Sequence, residues 1–169
     1  MSKHVLETLD RLKRRLAEMP PDRSLNPLDP FPEPPCFFFR PATAHEFKEF
    51  EETTGIVLPE DYRFFLTLHN GVELFRDVHR GNPSWHIFGL DEIEDARGSY
   101  PTPDDYYVIA KHDQTLITVN VIYVKEGRND YLFDSDTYSC THIPNPINLN
   151  FEVWLERLIA ADGKYFWMK

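Results

Sequence analysis

Residues 43–71 read TAHEFKEFEETTGIVLPEDYRFFLTLHNG, and this stretch predicts two short helices joined by a tight turn. Thr43 can cap the first helix, because Glu46 stands at the position from which a side chain reaches back to the cap. Gly55 stands where a residue in the left-handed conformation would end that helix. The stretch therefore predicts a helical hairpin around which the rest of the chain folds.

The second helix of this hairpin has one apolar face. Four residues recur there at helical spacing: Tyr62, Phe65, Leu66 and His69. Residues 56–58 before it are expected to cross the core, and Pro59 suits its first turn, where a missing N–H costs nothing. Asn70 and Gly71 tolerate positive φ, so we expect the helix to end there.

The order of these signals resembles the signature of the SUKH superfamily, the Smi/Knr-type cell-wall assembly regulators. The matching residues are Gly55, Leu58-Pro59, Asp61-Tyr62 and Asn70-Gly71. The resemblance covers about residues 43–160. Members of the superfamily include bacterial immunity proteins, which neutralise nuclease- or deaminase-type toxins by direct capture, and fungal regulators of cell-wall synthesis. The resemblance implies a protein that works by binding another protein.

The first 42 residues lie outside the resemblance, so we divide the chain into an N-terminal helix with a proline-rich arm (1–42) and a SUKH-like domain (43–169). Residues 3–18 predict a helix with a narrow apolar seam that packs on the domain; a dimer seam or partner surface is the alternative. Eight of the fourteen prolines lie in residues 20–41 and predict an extended arm. Its phenylalanines need cover, so we expect residues 36–40 to be pinned on the domain or paired as an edge strand.

The rest of the chain predicts an α+β fold in which an antiparallel-rich sheet packs against helices in a single domain. We expect a strand in residues 85–90 and a brief helical turn at residues 91–94. A meander follows, with strand candidates at residues 106–110, 115–125, 131–134 and 138–142 and turns that include residues 134–136. Asn148 or Asn150 can cap a closing helix whose apolar face begins at Phe151.

The net charge of −10 is concentrated in residues 43–169, which carry −11, while residues 1–42 carry +1. An acidic body repels phosphate backbones, so we expect no nucleic-acid partner, and it attracts basic proteins. No long apolar span and no leader-like run after Met1 is visible, which predicts a cytoplasmic protein without membrane contact. The sequence leaves the oligomeric state open. Cys36 and Cys140 are expected to be free thiols.

Catalytic motifs are missing from the sequence: there is no G-x-S-x-G, no S-x-x-K and no glycine-rich phosphate loop. His112 and Asp113 could form a metal or general-base pair, which makes a small metal-dependent hydrolase one alternative. Asp134 and Asp136 flank an expected turn, where solvation explains them better than paired-acid catalysis. We therefore predict no enzyme, no cofactor and no bound metal.

The function predicted from these observations is protein binding, most specifically an immunity protein that captures a basic toxin domain. A regulatory scaffold of cell-wall synthesis is the alternative among binding proteins. Residues 91–105 carry six acids against one base, interleaved with or followed by tyrosines that suit an interface. The predicted partner-binding residues are Asp91, Glu92, Glu94, Asp95, Tyr100, Asp104, Asp105 and Tyr106.

Overall fold

The structure is a computed structural model that describes residues 2–18, 35–76, 85–138 and 143–168. Those residues form six helices and seven strands. The helices are α1 (Lys3–Glu18), α2 (Ala44–Thr54), α3 (Glu60–Leu68), α4 (Leu90–Ser99), α5 (Val121–Lys125) and α6 (Phe151–Ala160). The strands are β1 (Phe37–Phe38), β2 (Val72–Leu74), β3 (Trp85–Ile87), β4 (Tyr106–His112), β5 (Thr115–Asn120), β6 (Leu132–Asp136) and β7 (Asn145–Pro146).

The predicted helical hairpin forms from α2 and α3. The Thr43 hydroxyl accepts from the Glu46 N–H at 3.2 Å, and the Glu46 carboxylate accepts from the Thr43 N–H at 2.7 Å, which completes the capping box. Gly55 ends α2 with φ of 67°. Ile56 and Leu58 are buried, as predicted for a segment that enters the core, although Val57 between them is half exposed.

The second helix of the hairpin differs from the prediction only at its ends. Pro59 is the N-cap residue, one position before the first turn. His69 is the C-cap residue, so the buried face of α3 consists of Asp61, Tyr62, Phe65 and Leu66. Gly71 has the expected positive φ, at 104°, whereas Asn70 does not.

All seven strands form one sheet whose spatial order is the order along the chain, β1 to β7, with every neighbouring pair antiparallel. Sequential antiparallel strands need only short connections, so this meander agrees with the predicted α+β fold. The edge strand β1 pairs Phe37 with Glu73 and Phe38 with Val72, which confirms that residues 36–40 are pinned on the domain.

Helices cover both faces of the sheet, as two neighbouring residues of β3 make clear. Successive side chains of a strand point to opposite faces. The Trp85 ring meets the Trp154 ring of α6 at a centroid distance of 5.5 Å. His86 instead reaches Glu92 of α4, with 2.7 Å between its Nε2 and the carboxylate. Therefore α6, with its neighbours α1 and α3, lies on one face, and α4, which packs against α2 and β4, lies on the other.

The N-terminal helix has the predicted bounds and packs on the domain through α3 and α6. Its seam residues Val5, Leu9 and Leu12 are buried. Ion pairs flank the seam, including Arg11 with Glu156 at 3.1 Å. None of the helices in the described part of the chain combines the length and apolar character that a membrane span needs.

Two of the expected strand boundaries are wrong. Residues 121–125 form α5 instead of continuing β5, because the Asn120 side chain accepts from the Ile122 and Tyr123 N–H groups at 3.0 and 3.1 Å. This side-chain cap turns the chain into a helix despite the β-branched residues that follow. Residues 134–136 belong to β6 and pair with residues 115–117 of β5, so they are not a turn.

Two further differences concern elements near the ends of strands. The expected helical turn at residues 91–94 is the start of a ten-residue helix, α4, at whose N-terminus the Glu92 carboxylate accepts from the Gly89 N–H at 3.2 Å. Tyr138 lies in a turn, and residues 139–142 of the expected last strand lie outside the described residues; β7 follows them. The cap of α6, by contrast, was predicted correctly as one of two alternatives: the Asn150 side chain accepts from the Val153 N–H at 3.0 Å.

Candidate functional site

The surface of α4 that faces solvent carries a stripe of carboxylates. Leu90, Ile93 and Ala96 bury one face of the helix, which leaves the other face to acidic residues. The exposed acids are Asp91, Glu94 and Asp95. They are three and four residues apart, a spacing that places side chains next to one another on a helix.

The structure ties two other predicted binding residues into internal contacts. The Glu92 carboxylate accepts from the Gly89 N–H at 3.2 Å and pairs with His86 at 2.7 Å. The Tyr100 hydroxyl accepts from the Lys111 ammonium at 3.1 Å, and the same ammonium lies 5.2 Å from the centre of the Tyr100 ring. Both side chains are partly exposed, so they can contact a partner while they hold α4 on the sheet.

The remaining predicted residues lie at the far end of β4. Asp104 and Asp105 are exposed in the loop that leads into this strand, and the Tyr106 ring packs edge-on against Phe133 at 5.2 Å. Tyr106 is five residues along β4 from Lys111, the residue that contacts Tyr100, or about 15 Å at the rise of a strand. The predicted set is therefore divided into a group on α4 and a second group at the start of β4.

Sequence reasoning missed that α2 adds its charge to that of α4. The two helices pack against each other. Together they carry eight carboxylates and two bases, a net charge of −6 out of −10 for the chain. We call their exposed carboxylates, Glu49, Glu51, Glu52, Asp91, Glu94 and Asp95, the acidic surface. The sequence shows the density of glutamates in residues 46–52, but it does not show that the helix they form packs against α4, because the tertiary fold sets that contact.

The members of the acidic surface differ in how far they are already paired. Arg63 forms an ion pair with Glu51, and Lys48 lies 3.9 Å from Glu52. Within the described ranges, the carboxylates of Glu94 and Asp95 make no hydrogen bond or ion pair. These two carboxylates are hydrated and available to the cations of a partner.

A groove of about 350 Å³ adjoins the acidic surface, between α4 and the sheet. Its walls combine aromatic and charged side chains, and no sequence motif pointed to it. It is lined by His86, Phe88, Glu92, Asp95, Ala96, Ser99, Tyr100 and Lys111.

The acidic–aromatic pair of the α3 signature, by contrast, is built into the core. Asp61 accepts through one oxygen from the Tyr131 hydroxyl and through the other from the Glu152 N–H at 3.0 Å. The Tyr131 hydroxyl itself accepts from the Phe151 N–H at 2.9 Å. Asp61 and Tyr131 thus satisfy N–H groups of the first turn of α6, which have no partner within the helix.

Burial sets the protonation behaviour of this network. Burial raises the pKa of Asp61 above its ordinary value, although the hydrogen bonds from Tyr131 and Glu152 oppose that shift. Burial likewise raises the pKa of Tyr131 well above its ordinary value, so this hydroxyl remains a donor at neutral pH. Tyr62, the other member of the pair, donates its hydroxyl to the Phe88 carbonyl. The signature pair is therefore structural.

A cleft of about 540 Å³ lies beside this network, where α1, α3 and α6 begin. Its charged residues are engaged in the fold. Ser2 donates to Glu152, and Arg128 pairs with Asp130 at 2.6 Å while its guanidinium covers the Tyr123 ring. The cleft is a junction between helix ends whose polar groups satisfy each other.

His112 and His69 are both engaged by groups of the fold. The His112 ring bonds to the Tyr165 hydroxyl, and burial lowers its pKa, while Asp113 is exposed in a turn with φ of 51°. His69 Nδ1 lies 2.8 Å from the Phe39 carbonyl, so this histidine is hydrogen-bonded within the fold. No three His, Cys, Asp or Glu side chains group together as metal ligands in the ranges described.

The pair Asp134 and Asp136 also fails to form a site. Asp134 is buried and accepts from the Trp167 indole N–H at 2.7 Å, so it anchors the aromatic C-terminal segment on the sheet. Asp136 is exposed and accepts from the Tyr138 N–H at 2.8 Å. Cys36 is a buried free thiol whose pKa is raised by burial, and Cys140 lies outside the described residues.

Comparison with known proteins places the chain in a family. The model of the SMI1 / KNR4 family (SUKH-1) matches residues 41–157. The protein YobM of Bacillus subtilis (strain 168) is 31% identical over 142 residues, 75% of this chain and 70% of YobM. The protein YnaB of the same organism is 30% identical over 138 residues, 80% of this chain and 89% of YnaB. Both relatives are described as uncharacterized. The chain belongs to the SMI1/KNR4 family (SUKH-1).

Proposed function

We propose that this protein is a non-catalytic immunity protein of the cytoplasm that captures a cognate toxin of the nuclease or deaminase type. The observation that carries the proposal is the acidic surface, which lies on two adjacent helices whose residues together carry a net charge of −6. Toxins that act on nucleic acids present basic substrate grooves, because those grooves must attract phosphates. A surface of fixed carboxylates is complementary to such a groove.

The physical effect expected of the acidic surface is on association. Complementary charge steers two proteins together and raises the rate constant for binding, more than it raises the final affinity. Glu94 and Asp95 are suited to this task because they are exposed and hydrated in the free protein. The predicted residues Asp104, Asp105 and Tyr106 form a second contact region in this proposal, reached by a partner broad enough to extend along β4.

Neutralisation in this scheme is stoichiometric, because each protein molecule blocks one toxin molecule by binding it and performs no catalysis. The test is to purify a candidate toxin domain, sought first in the genes next to the one for this protein, and to titrate its nuclease or deaminase activity with the protein. We expect activity to fall linearly and to end at one protein per toxin. Inhibition that needs a large excess, or no inhibition, would contradict the proposal and favour the regulatory role in cell-wall synthesis.

A matched control separates the acidic surface from general negative charge. The variant with Glu94→Lys and Asp95→Lys reverses two charges of that surface, whereas Glu7→Lys with Asp10→Lys reverses two exposed charges on α1. We expect the first variant to require more protein for the same inhibition and the second to behave as the unaltered protein. Equal loss in both variants would show that net charge alone acts.

A further inference from the structure

The face of the sheet beneath α4 is incompletely covered. The register places four residues opposite one another across β1 to β4: Phe37, Glu73, His86 and Lys111. Three of the four are partly exposed, and Phe37 is 44% exposed. The neighbouring row points to the opposite face of the sheet, and there Val72, Ile87 and Ala110 are fully buried. The face beneath α4 therefore continues past the edge of that helix as an open surface.

Aromatic rings line the open surface and continue into the groove. The Phe39 ring stacks on the His86 imidazole at 6.5 Å, with 16° between the planes. His86 meets Phe88 edge-on at 5.3 Å, and Phe37 meets Phe39 edge-on at 4.9 Å. A partly exposed phenylalanine on an edge strand gains little from the fold itself, and aromatic side chains are favoured anchors for a partner.

The groove already holds a cation over an aromatic ring. The Lys111 ammonium lies 5.2 Å from the Tyr100 ring centre and 3.1 Å from its hydroxyl. A cation over the face of tyrosine is attracted by the negative charge of the ring face. Glu92 and Asp95 line the same groove, and the Asp95 carboxylate has no partner among the described residues. The groove is thus suited to a cationic side chain.

We propose that this groove is a specificity site that receives an arginine or lysine side chain from an extended segment of the protein partner. The proposal rests on the proposed capture of a basic protein. The incoming cation would lie over the Tyr100 ring and pair with Asp95, in competition with Lys111. Flanking apolar residues of the segment would pack on Phe37 and Phe39, where the sheet face is open.

The probe for this proposal is a short peptide of alternating glycine and arginine, with blocked ends, titrated into the isotope-labelled protein and followed by NMR. We expect saturable shifts of the amides of His86, Asp95, Tyr100 and Lys111. Tyr100→Leu should weaken binding about threefold or more, whereas Tyr100→Phe keeps the ring and should weaken it less.

Lys111 supplies the most diagnostic variant, because its replacement should strengthen peptide binding, whereas the Tyr100 variants should weaken it. Lys111→Met removes the resident cation but keeps an unbranched side chain, so peptide binding should tighten about threefold. Lys125→Met removes an exposed charge on α5 and is the charge-matched control. Tightening confined to Lys111→Met supports the groove. Equal tightening in both variants, or weakening by Lys111→Met, would overturn it.

The peptide test also distinguishes the groove from other sites and occupants. Shifts centred on α2, or an absence of saturable shifts, would overturn the proposal. The same amides shifting with protein concentration alone would assign the groove to a second copy of this chain and overturn it equally. Failure of the peptide to bind leaves toxin neutralisation intact, and failure of neutralisation leaves the peptide result intact, so the two proposals fail separately.

Discussion

Two regions of this protein contain an aspartate and a tyrosine, and the two regions place these residues in opposite environments. On α3, Asp61 and Tyr62 are buried, and every oxygen of the Asp61 carboxylate accepts a hydrogen bond from the surrounding fold. Asp95 on α4 is exposed, and Tyr100, which directly follows α4, is partly exposed; both line a groove. A carboxylate whose donors are all internal stabilises the fold, whereas a hydrated one is free to bind. Burial and partners, more than residue type, separate the two roles.

The largest effect expected from this comparison is that of Asp61→Ala. The change leaves the Tyr131 hydroxyl and the Tyr62 and Glu152 N–H groups without an acceptor in or near the core. We expect the free energy of unfolding to fall by roughly 3 kcal/mol. Urea unfolding measures it, with Asp95→Ala as the exposed counterpart, for which a change within about 0.5 kcal/mol is expected. Similar losses in both variants would remove the distinction between the two regions.

The junction between the two regions gives the next largest effect. Gly89, the N-cap of α4, lies so close to the segment that follows α3 that a Cβ there would be 2.4 Å from the Asn70 carbonyl oxygen. Gly89→Ala should therefore destabilise the protein by roughly 1–3 kcal/mol, because backbone must shift. Gly98→Ala is the matched control. A Cβ there meets nothing within 4 Å, and alanine favours a helix.

Thermal melting of the two alanine variants measures this prediction. Gly98→Ala should melt at the same temperature as the unaltered protein or slightly above it. If Gly89→Ala melts at the same temperature as Gly98→Ala, then α4 is not held against the end of α3 as described. The comparison would then lose its structural basis, because α4 could move as a unit.

The smallest effect concerns Glu46 of α2, whose carboxylate is partly exposed like those of α4 and yet has partners within the fold like Asp61. Hydrogen bonding to Arg40 lowers the pKa of Glu46 from 4.5 to about 2. A pKa lowered by folding stabilises the folded state above pH 4.5, and this contribution is lost as the pH falls towards 2. Solvent screens the pair, so the contribution is small.

Glu46→Gln tests the sign of that dependence. Glutamine can still accept from the Thr43 N–H, so the variant retains the capping box and removes only the charge. The variant should be slightly less stable than the unaltered protein at pH 6 and equally stable near pH 2. A difference that stays constant over this range would show that the Arg40 pair contributes nothing through ionisation.

The sequence predicted the local structure well wherever one short-range interaction decides it. Thr43, Glu46 and Gly55 specify the ends of α2 through contacts within a few residues, and all three were predicted correctly. The end of β5 was wrong because the apolar pattern of residues 121–124 favours a strand, and the Asn120 cap overrides it. An N-cap residue can be recognised in a sequence only when the residues after it already predict a helix, and those after Asn120 do not.

The candidate site was predicted less completely, since it depends on contacts between distant segments. The acids of α4 were identified from their density in the sequence. That α2 lies beside them, and that Asp104 lies about a strand length away, follows from the sheet and from the packing of α4 on β4. The groove was missed because His86, Tyr100 and Lys111 come from three different elements. Nothing in their spacing along the chain indicates that they meet.

The association rate with the proposed toxin partner tests the central claim most directly, namely that the exposed carboxylates of α4 bind a partner while the buried carboxylate on α3 stabilises the fold. Stopped-flow mixing of the toxin with the Glu94→Lys, Asp95→Lys variant should show association about tenfold slower than for the unaltered protein. The rate should also depend less on salt, whose screening length is about 8 Å at physiological strength. The melting temperature should change by no more than a degree or so. A variant that associates at the unaltered rate with the unaltered salt dependence would contradict the account.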